Sequence, residues 1–467
     1  MPFADCLPRR RFLISSAASG LACAVGCSSQ SQPEPATTQR SDVPLRVLLC
    51  GSRAWADAIK TAWGGVAEQP LVIETIDRHA TDGAAGESPT HGFGSRVAEQ
   101  LRVSDIAIVP CGLLPELAVA KAFTPLGNGF MDEAGLGSDG ILPVLRETSM
   151  RWAGESIGLP LGSVQPALLI SGETAAETSE IPRTWEAFID TAERLQAVAQ
   201  GGEAVAAEPL AGGAAAKMFL WRASDAAPAV WLFNRETFEP VLREEVYVEA
   251  LETMRACAKL YGDQRLTPGE VWQRIASGQL KLALGWPGNS GDPPRVESLG
   301  DALVSPLPRA WQAEGPPASA GPRPVGVMAD PDAPVGLLSS RCRQTAAAKR
   351  FLIWLAGGEG SQMVREAAPS MTVLRTTADA AGQTGGSPYD EFLRGELASI
   401  QWRPTLRLHR YDRYLAALDE QVLACLDGKL SASAALAAAS DAWKTLTAEV
   451  GEKLQAQAWR QAQGLRN

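Results

Sequence analysis

The chain has 467 residues, of which 45% are hydrophobic and 21% charged, a balance that excludes a disordered or fibrous protein. Its formal net charge of −10 comes with no long run of Lys or Arg, which excludes a nucleic-acid binder, because phosphate contacts need clustered basic side chains. The length exceeds what one hydrophobic core usually supports, so two lobes are expected.

Arg9, Arg10 and Arg11 precede an uncharged run from Phe12 to Gly26, rich in Ala, Leu and Ser. The run falls short of the ~20 residues that span a bilayer, so it reads as a secretory signal and not as an uncleaved anchor helix. Arg9-Arg10-Arg11-Phe12-Leu13 fits the twin-arginine pattern, which implies export of an already folded protein. Ala24-Val25-Gly26-Cys27 looks like a bacterial lipobox, with Cys27 as the lipidated first residue of the mature chain. Residues 1–26 are then a signal peptide, and 27–43, rich in Ser, Gln, Pro and Thr, form a flexible tether. That arrangement puts the mature protein outside the cytoplasm, on the periplasmic side, held to a bacterial membrane by its lipid.

Pro44–Cys50 predicts a first buried strand. A helical stripe follows at Trp55, Ala58, Ile59, Ala62 and Trp63. Leu71–Thr75 predicts a second strand, a polar loop runs to about Gly94, and a helix leads into the apolar strand Asp105–Pro110. Helix Glu116–Ala122 comes next. This alternation implies a largely parallel sheet covered by helices on both faces. Further on, Pro166–Ser171 is strand-like, Thr184–Val198 helical, and helices Tyr247–Tyr261 and Pro268–Ser277 precede strand Leu280–Trp286. A Pro/Gly-rich loop spans Pro287 to about Pro324. Val325–Asp330 is strand-like, Gln344–Leu355 is a helix, and the C-terminal region is helical, with Tyr411, Tyr414, Leu415, Leu418, Val422 and Leu426 on one stripe.

Chemistry-bearing motifs are scarce. Gly135–Gly140 matches GxGxxG but lacks the apolar strand a dinucleotide fingerprint needs before it. There is no GxxxxGK[ST], GxSxG or HExxH, and the three histidines (His79, His91, His409) lack metal-ligand spacing, so no cofactor and no metal are expected. Past Cys27 the cysteines are Cys50, Cys111, Cys257, Cys342 and Cys425. They are odd in number, without CxxC, and read as free buried thiols, with room for one disulfide at most.

The tryptophans carry more signal. There are 13, against 5 tyrosines and 11 phenylalanines. Indole faces stack on the C–H face of a sugar while amides and charges bind its hydroxyls. Trp286 sits where an apolar strand turns into the Gly/Pro loop, and the carboxyl ends of strands are where open α/β sheets bind ligands. Trp221 and Trp231 flank an Ala-rich segment, and Trp402 precedes Arg403-Pro404.

Several segments in order carry a family resemblance: Ser104–Pro110, Leu113–Leu117, Phe123–Leu126, Trp152–Leu161, Ile181–Phe188, Leu282–Gly288, Ala347–Leu355 and Trp402–Pro404. Together they resemble the extracellular solute-binding proteins of family 1, the maltose-binding-protein type that serves sugar and glycerol-phosphate ABC importers. The resemblance implies a periplasmic-binding-protein-like α/β fold, with two lobes joined by a hinge and a ligand cleft between them. Carried over by position, 44–124 plus 325–366 make lobe 1, and 127–320 plus 368–467 make lobe 2. The cleft-facing positions implied are Gly51–Trp55, Cys111-Gly112, Ser163–Gln165, Trp221, Trp286 and its loop, and the segments near Met371 and Trp402–Tyr411, with Trp55, Gln165, Trp221, Trp286, Asn289, Trp402, Arg403 and Tyr411 as the ligand-binding residues. Cys111-Gly112-Leu113-Leu114 departs from the relatives, which often place Trp, Asp or Arg there, so polar groups are thin in lobe 1.

The implied function is capture of a small solute, a sugar or sugar derivative, by hinge closure, with delivery to an ABC permease. The partners are then that solute, the permease and, through Cys27, the membrane. The protein is expected to be a monomer and not an enzyme. Two alternatives stand beside this reading. One is a ligand-sensing or interaction protein on the same fold. The other is an exported carbohydrate-active enzyme, which requires two carboxylates roughly 5–10 Å apart in the cleft.

Overall fold

The computed structural model describes residues 42–76, 92–127, 129–130, 140–177, 180–199, 204–226, 230–288, 299–309, 326–365 and 387–465. From Ser41 onward the chain forms one compact unit.

The apolar run Leu45–Leu49 forms β1. Helix α1 (Arg53–Gly64) follows, capped by Ser52, whose hydroxyl accepts the Trp55 N–H. Then come β2 (Leu71–Thr75), α2 (Phe93–Leu101), β3 (Ile106–Pro110), α3 (Leu114–Val119) and β4 (Phe123–Thr124). A short hairpin, β5 (Arg151–Trp152) with β6 (Glu155–Ser156), precedes β7 (Gly158–Pro160) and β8 (Ala167–Ile170). Helix α4 (Trp185–Val198), β9 (Ala206–Ala207), α5 (Ala214–Ala226), α6 (Glu245–Ala258), α7 (Pro268–Ala276), β10 (Leu282–Gly285) and β11 (Leu303–Ser305) make up the middle. β12 (Val327–Met328), β13 (Pro334–Ser339) and α8 (Thr345–Ala356) come next. The C-terminal region holds α9 (Pro388–Leu397), β14 (Trp402–Arg403), α10 (Tyr411–Leu426), α11 (Ala432–Val450) and α12 (Glu452–Ala462). Helices α7 and α9 start on capping boxes, Thr267 with Glu270 and Ser387 with Asp390, each followed by Pro at the first helical position.

Among the described residues the strands form two main sheets. The first has the order β2-β1-β3-β13-β4, with β7 also on β13. The second has the order β11-β8-β10-β9. A separate parallel pair, β12 with β14, matches Val327 to Trp402 and Met328 to Arg403.

The expectation of a largely parallel sheet holds only in part. β1 runs parallel to β2 and β3, but β13 runs antiparallel to β3, β4 and β7, and β8 runs antiparallel to β10 and β11. β13 joins the first sheet after the chain has built the second, and an antiparallel neighbour needs no crossover helix to enter. All six β13 residues are buried, between β3 on one side and β4 with β7 on the other. β7 thus belongs to the first sheet, although it lies within 127–320.

Candidate functional site

The carboxyl ends of β1 and β3 define one end of the first sheet. After β1, the Trp55 ring lies so close over Gly51 that a Cβ there would stand 2.4 Å from it, and the indole is buried. After β3, the backbone N–H groups of Cys111 and Gly112 donate to Ala333 O and Pro331 O at 2.9 Å each. Burial pushes the Cys111 thiol up to about 12, so it stays protonated. Gly112 lies under the ring of Tyr411, with a Cβ at 112 placed 2.5 Å from that ring.

Tyr411 opens α10 and is fully buried. Its hydroxyl donates to Asp332 Oδ1 at 2.8 Å. Asp332 Oδ2 and Asp330 Oδ1 both hold Lys217 Nζ of α5, at 2.6 and 2.8 Å. Burial alone would lower the Lys217 pKa, but the Asp330 and Asp332 charges outweigh it, and the ammonium sits above its ordinary value. Immediately before Tyr411, Arg410 takes a left-handed backbone (φ 58°) and donates its N–H to Glu116 Oε1 at 2.8 Å. Burial raises the Glu116 carboxyl to about 7. The first sheet, the β12–β13 connection, α5 and α10 therefore meet in one polar cluster. Sequence reasoning found Tyr411, and Arg410 only as part of the Trp402–Tyr411 segment, but not Lys217, Asp330, Asp332 or Glu116; the left-handed backbone of Arg410 leaves no trace in residue type.

Gln165, Trp221 and Trp286 gather on the other side of β12. Gln165 Nε2 and Trp221 Nε1 both donate to Met328 O at 2.9 Å. The Tyr389 hydroxyl donates to Gln165 O at 2.8 Å. Trp221 and Trp286 pack edge to face, 4.9 Å apart at 68°, and are only 4% and 5% exposed. Gln165 and Trp221 line a cavity of about 50 Å³ that also meets Trp185, Arg222, Asp225 and Glu396. That volume suits a few water molecules and not a sugar ring. Arg222 pairs with Glu208 at 2.6 Å with both side chains buried, and its guanidinium covers the Trp185 ring at 4.5 Å.

Trp402 and Arg403 lie on β14, paired with Val327 and Met328 of β12. With Trp231, Phe233, Arg235 and Trp459 they surround a pocket of about 260 Å³, closed by Pro404 and Gln463. The eight predicted residues are thus divided. Trp55 and Tyr411 attend the strand ends, Gln165, Trp221 and Trp286 the Met328 carbonyl, and Trp402 and Arg403 the strand paired with Val327 and Met328. Asn289, Met371 and Cys27 lie outside the described residues.

Among the described residues, no group of three or more His, Cys, Asp or Glu is placed to hold a metal ion. His409 is buried, which lowers its pKa to about 4 and keeps it neutral. The five described cysteines form no disulfide with one another, and Cys111, Cys257 and Cys425 are buried. No described helix is long and apolar enough to cross a membrane.

No protein-family model matches the sequence, and neither does any curated protein. Solved structures do match. The sugar-binding protein MalE from Xanthomonas citri aligns with a TM-score of 0.65 at 13% identity, over 87% of this chain and 98% of its own. The GacH receptor of Streptomyces glaucescens, whose structures include complexes with acarbose and an acarbose homologue, aligns with a TM-score of 0.61 at 13% identity, over 87% and 99%. Maltose-bound T. maritima MalE3 aligns with a TM-score of 0.58 at 14% identity, over 86% and 100%. The chain has the two-lobed α/β fold of these proteins, as the sequence resemblance implied.

Proposed function

We propose that this protein is an extracytoplasmic solute-binding protein that captures a sugar or sugar derivative and delivers it to an ABC permease. The observation that carries this reading is the likeness of fold, over 86–87% of this chain, to a sugar-binding MalE, an acarbose-bound receptor and a maltose-bound MalE3. Cys27 would carry the lipid anchor, and 27–43 would be the tether. The lobes would be 44–124 with 325–366 and 127–320 with 368–467, apart from β7, which pairs with β13.

Binding would work by closure. A ligand that touches both lobes favours the closed form by its differential affinity for the two forms. The Tyr411–Gly112 contact and the Lys217 bridge to Asp330 and Asp332 would lie near the axis of that motion. The strand-end aromatic Trp55, together with Gln165, Trp221, Trp286 and Asn289, would meet the ligand as the lobes part and close. The protein would leave its ligand chemically unchanged, as a carrier and not an enzyme.

The test is thermal unfolding of the mature chain against a panel of sugars, polyols and glycerol phosphates. A ligand at a thousandfold its Kd should add about 4 kcal/mol, with the ligand recovered intact. A flat response across the panel would overturn the carbohydrate reading while leaving the fold as described.

A further inference from the structure

The two ends of the first sheet differ in chemistry. The candidate site lies at the carboxyl ends of β1 and β3, and at the opposite end four strands begin together. Strands β1, β2 and β3 are parallel, and β3 and β4 both run antiparallel to β13, so all four start on the same side. Hydrogen bonds tie the segments ahead of them into one surface. Gln69 Nε2 donates to Val43 O at 3.1 Å and to Gln344 Oε1 at 2.8 Å, while Gln344 Nε2 donates to Pro44 O at 3.0 Å. The buried Asp105 carboxylate accepts the backbone N–H groups of Arg46 and Arg343 at 3.1 Å each. Ser339 Oγ donates to Leu101 O at 2.9 Å, and Ser340 Oγ donates to Lys121 O at 2.8 Å.

What this end shows to solvent is apolar and basic. Among the described residues nine large apolar side chains are exposed, and four of them stand here, one ahead of each strand: Val43, Val66, Val103 and Val119. A single exposed valine needs no explanation, but one at each of four neighbouring strand starts makes a patch. Arg46, Arg102, Lys121, Arg341 and Arg343 are exposed at the same end, and none of the five forms an ion pair with another described residue. They outnumber the exposed acids that adjoin them, Asp42, Glu68 and Glu99, in a chain whose net charge is −10. Val43 is also where residues 27–43 reach the fold. A flexible stretch of that length spans roughly 20–25 Å, so a lipid at Cys27 would keep this end within that distance of the bilayer. Cations alone suit any polyanion. Valines beside them favour a surface with an apolar layer under its phosphates.

We propose that the amino-end face of the first sheet rests on an anionic lipid surface, with Val103 and Val119 against the interface and Arg102, Lys121, Arg341 and Arg343 on lipid phosphates. The inference rests on the lipoprotein reading only for bringing this face to a membrane; the face itself needs neither the lipid anchor nor a sugar. Held this way, the protein turns its carboxyl-end site away from the bilayer, and the contact is given up when that site is presented to a permease.

The chain from Ser41, which forms one compact unit, lacks both lipid and tether, so its binding to vesicles reports the face alone. Vesicles of phosphatidylglycerol and phosphatidylcholine in equal parts are expected to pellet it at low salt, and vesicles of phosphatidylcholine alone are not. The partition should fall about tenfold or more between roughly 20 and 500 mM salt. Arg102→Gln with Lys121→Gln and Arg341→Gln should weaken it by about tenfold or more, at about fivefold per cation. The melting temperature should stay unchanged, because all three side chains are exposed. Val103→Ser with Val119→Ser should weaken binding severalfold at the same salt. The proposal is overturned if the chain ignores anionic vesicles, if neutral vesicles bind it equally well, or if the triple variant partitions as wild type does. A full-length chain that stays with membranes only while Cys27 is intact, beside a Ser41 chain that ignores vesicles, would overturn the face and keep the anchor. The reverse pair of results would keep the face and overturn the anchor.

Discussion

The ring of Tyr411 occupies the space that a side chain at Gly112 would need: a Cβ built on Gly112 would stand 2.5 Å from both Cδ2 and Cε2 of the ring and 2.7 Å from Cγ. Gly112 lies in the turn just after β3, and Tyr411 begins the helix that packs on α5 through Asp419, whose Oδ1 accepts the Ala216 N–H at 2.9 Å. The thin polar lining after β3 thus has a steric role. A small residue there lets an aromatic ring from the C-terminal region close over the strand ends.

Gly112→Val should therefore push Tyr411 away and break its hydroxyl bond to Asp332. Overpacking of this kind costs about 1–3 kcal/mol, read as a lowered urea midpoint. Small-angle scattering should also report a larger radius for the variant than for wild type. A variant as stable and as compact as wild type would show that the ring can move aside freely.

Lys217 answers two carboxylates with one ammonium, and all three groups are largely buried. Lys217→Met would leave Asp330 and Asp332 facing each other without a cation. Removing one partner of a buried ion pair costs about 3–5 kcal/mol. Lys217→Met with Asp330→Asn and Asp332→Asn should recover much of that loss, since no uncompensated charge remains. Equilibrium denaturation of the single and triple variants checks both halves of the expectation.

The Arg222–Glu208 pair offers a cleaner cycle, because both side chains are almost wholly out of solvent at 1% and 0% exposure. Burial raises the Glu208 pKa, while Arg222 pulls it down. Glu208→Gln alone should destabilise by about 3 kcal/mol or more, as should Arg222→Met alone. The double variant Glu208→Leu with Arg222→Met should be less costly than the sum of the singles. A purely additive result would mean that the two charges do not support each other.

How much of this was legible in the sequence depended on local signal. The strands β1, β3 and β10 are short apolar runs, and helices α1, α4 and α7 announce themselves by Ser52, Thr184 and Thr267 caps. β13, the centre of the first sheet, was missed because it starts on Pro334 and holds Gly336, two residues that argue against a central strand. The structure explains the glycine: a Cβ at 336 would stand 2.6 Å from Leu352, so close packing of α8 excludes a side chain. α5 was not read as a helix, because it is buried on several faces and shows little polar stripe; only the Ala-rich segment between Trp221 and Trp231, which overlaps its end, stood out. The tryptophans were recognised, but not their grouping. Trp231 and Pro404 touch across 173 positions, and no residue pattern within either segment announces a partner so far away.

Glu116 gives the last prediction. Its carboxylate lies against Gly94, where an added Cβ would collide with it, and faces the backbone N–H of Arg410. Burial raises its pKa from 4.5 to about 7; the Arg410 N–H pulls it back, Asp412 pushes it up and the Arg410 charge opposes Asp412. The folded state therefore binds a proton that the unfolded chain has already released between pH ~4.3 and about 7. Its contribution is full below the lower limit, falls as pH rises through that window, and is constant above it. A shift of this size corresponds to at most about 3 kcal/mol, and partial solvent access reduces it to about 1–2. Glu116→Gln keeps a carbonyl oxygen for the Arg410 N–H but cannot ionise. The variant should match wild type near pH 4.5, exceed it by that amount at pH 8, and lose the part of the pH dependence that Glu116 supplies. Parallel stability profiles for the two proteins across that range would show that the carboxyl titrates as if exposed, and would remove the burial argument for this corner of the site.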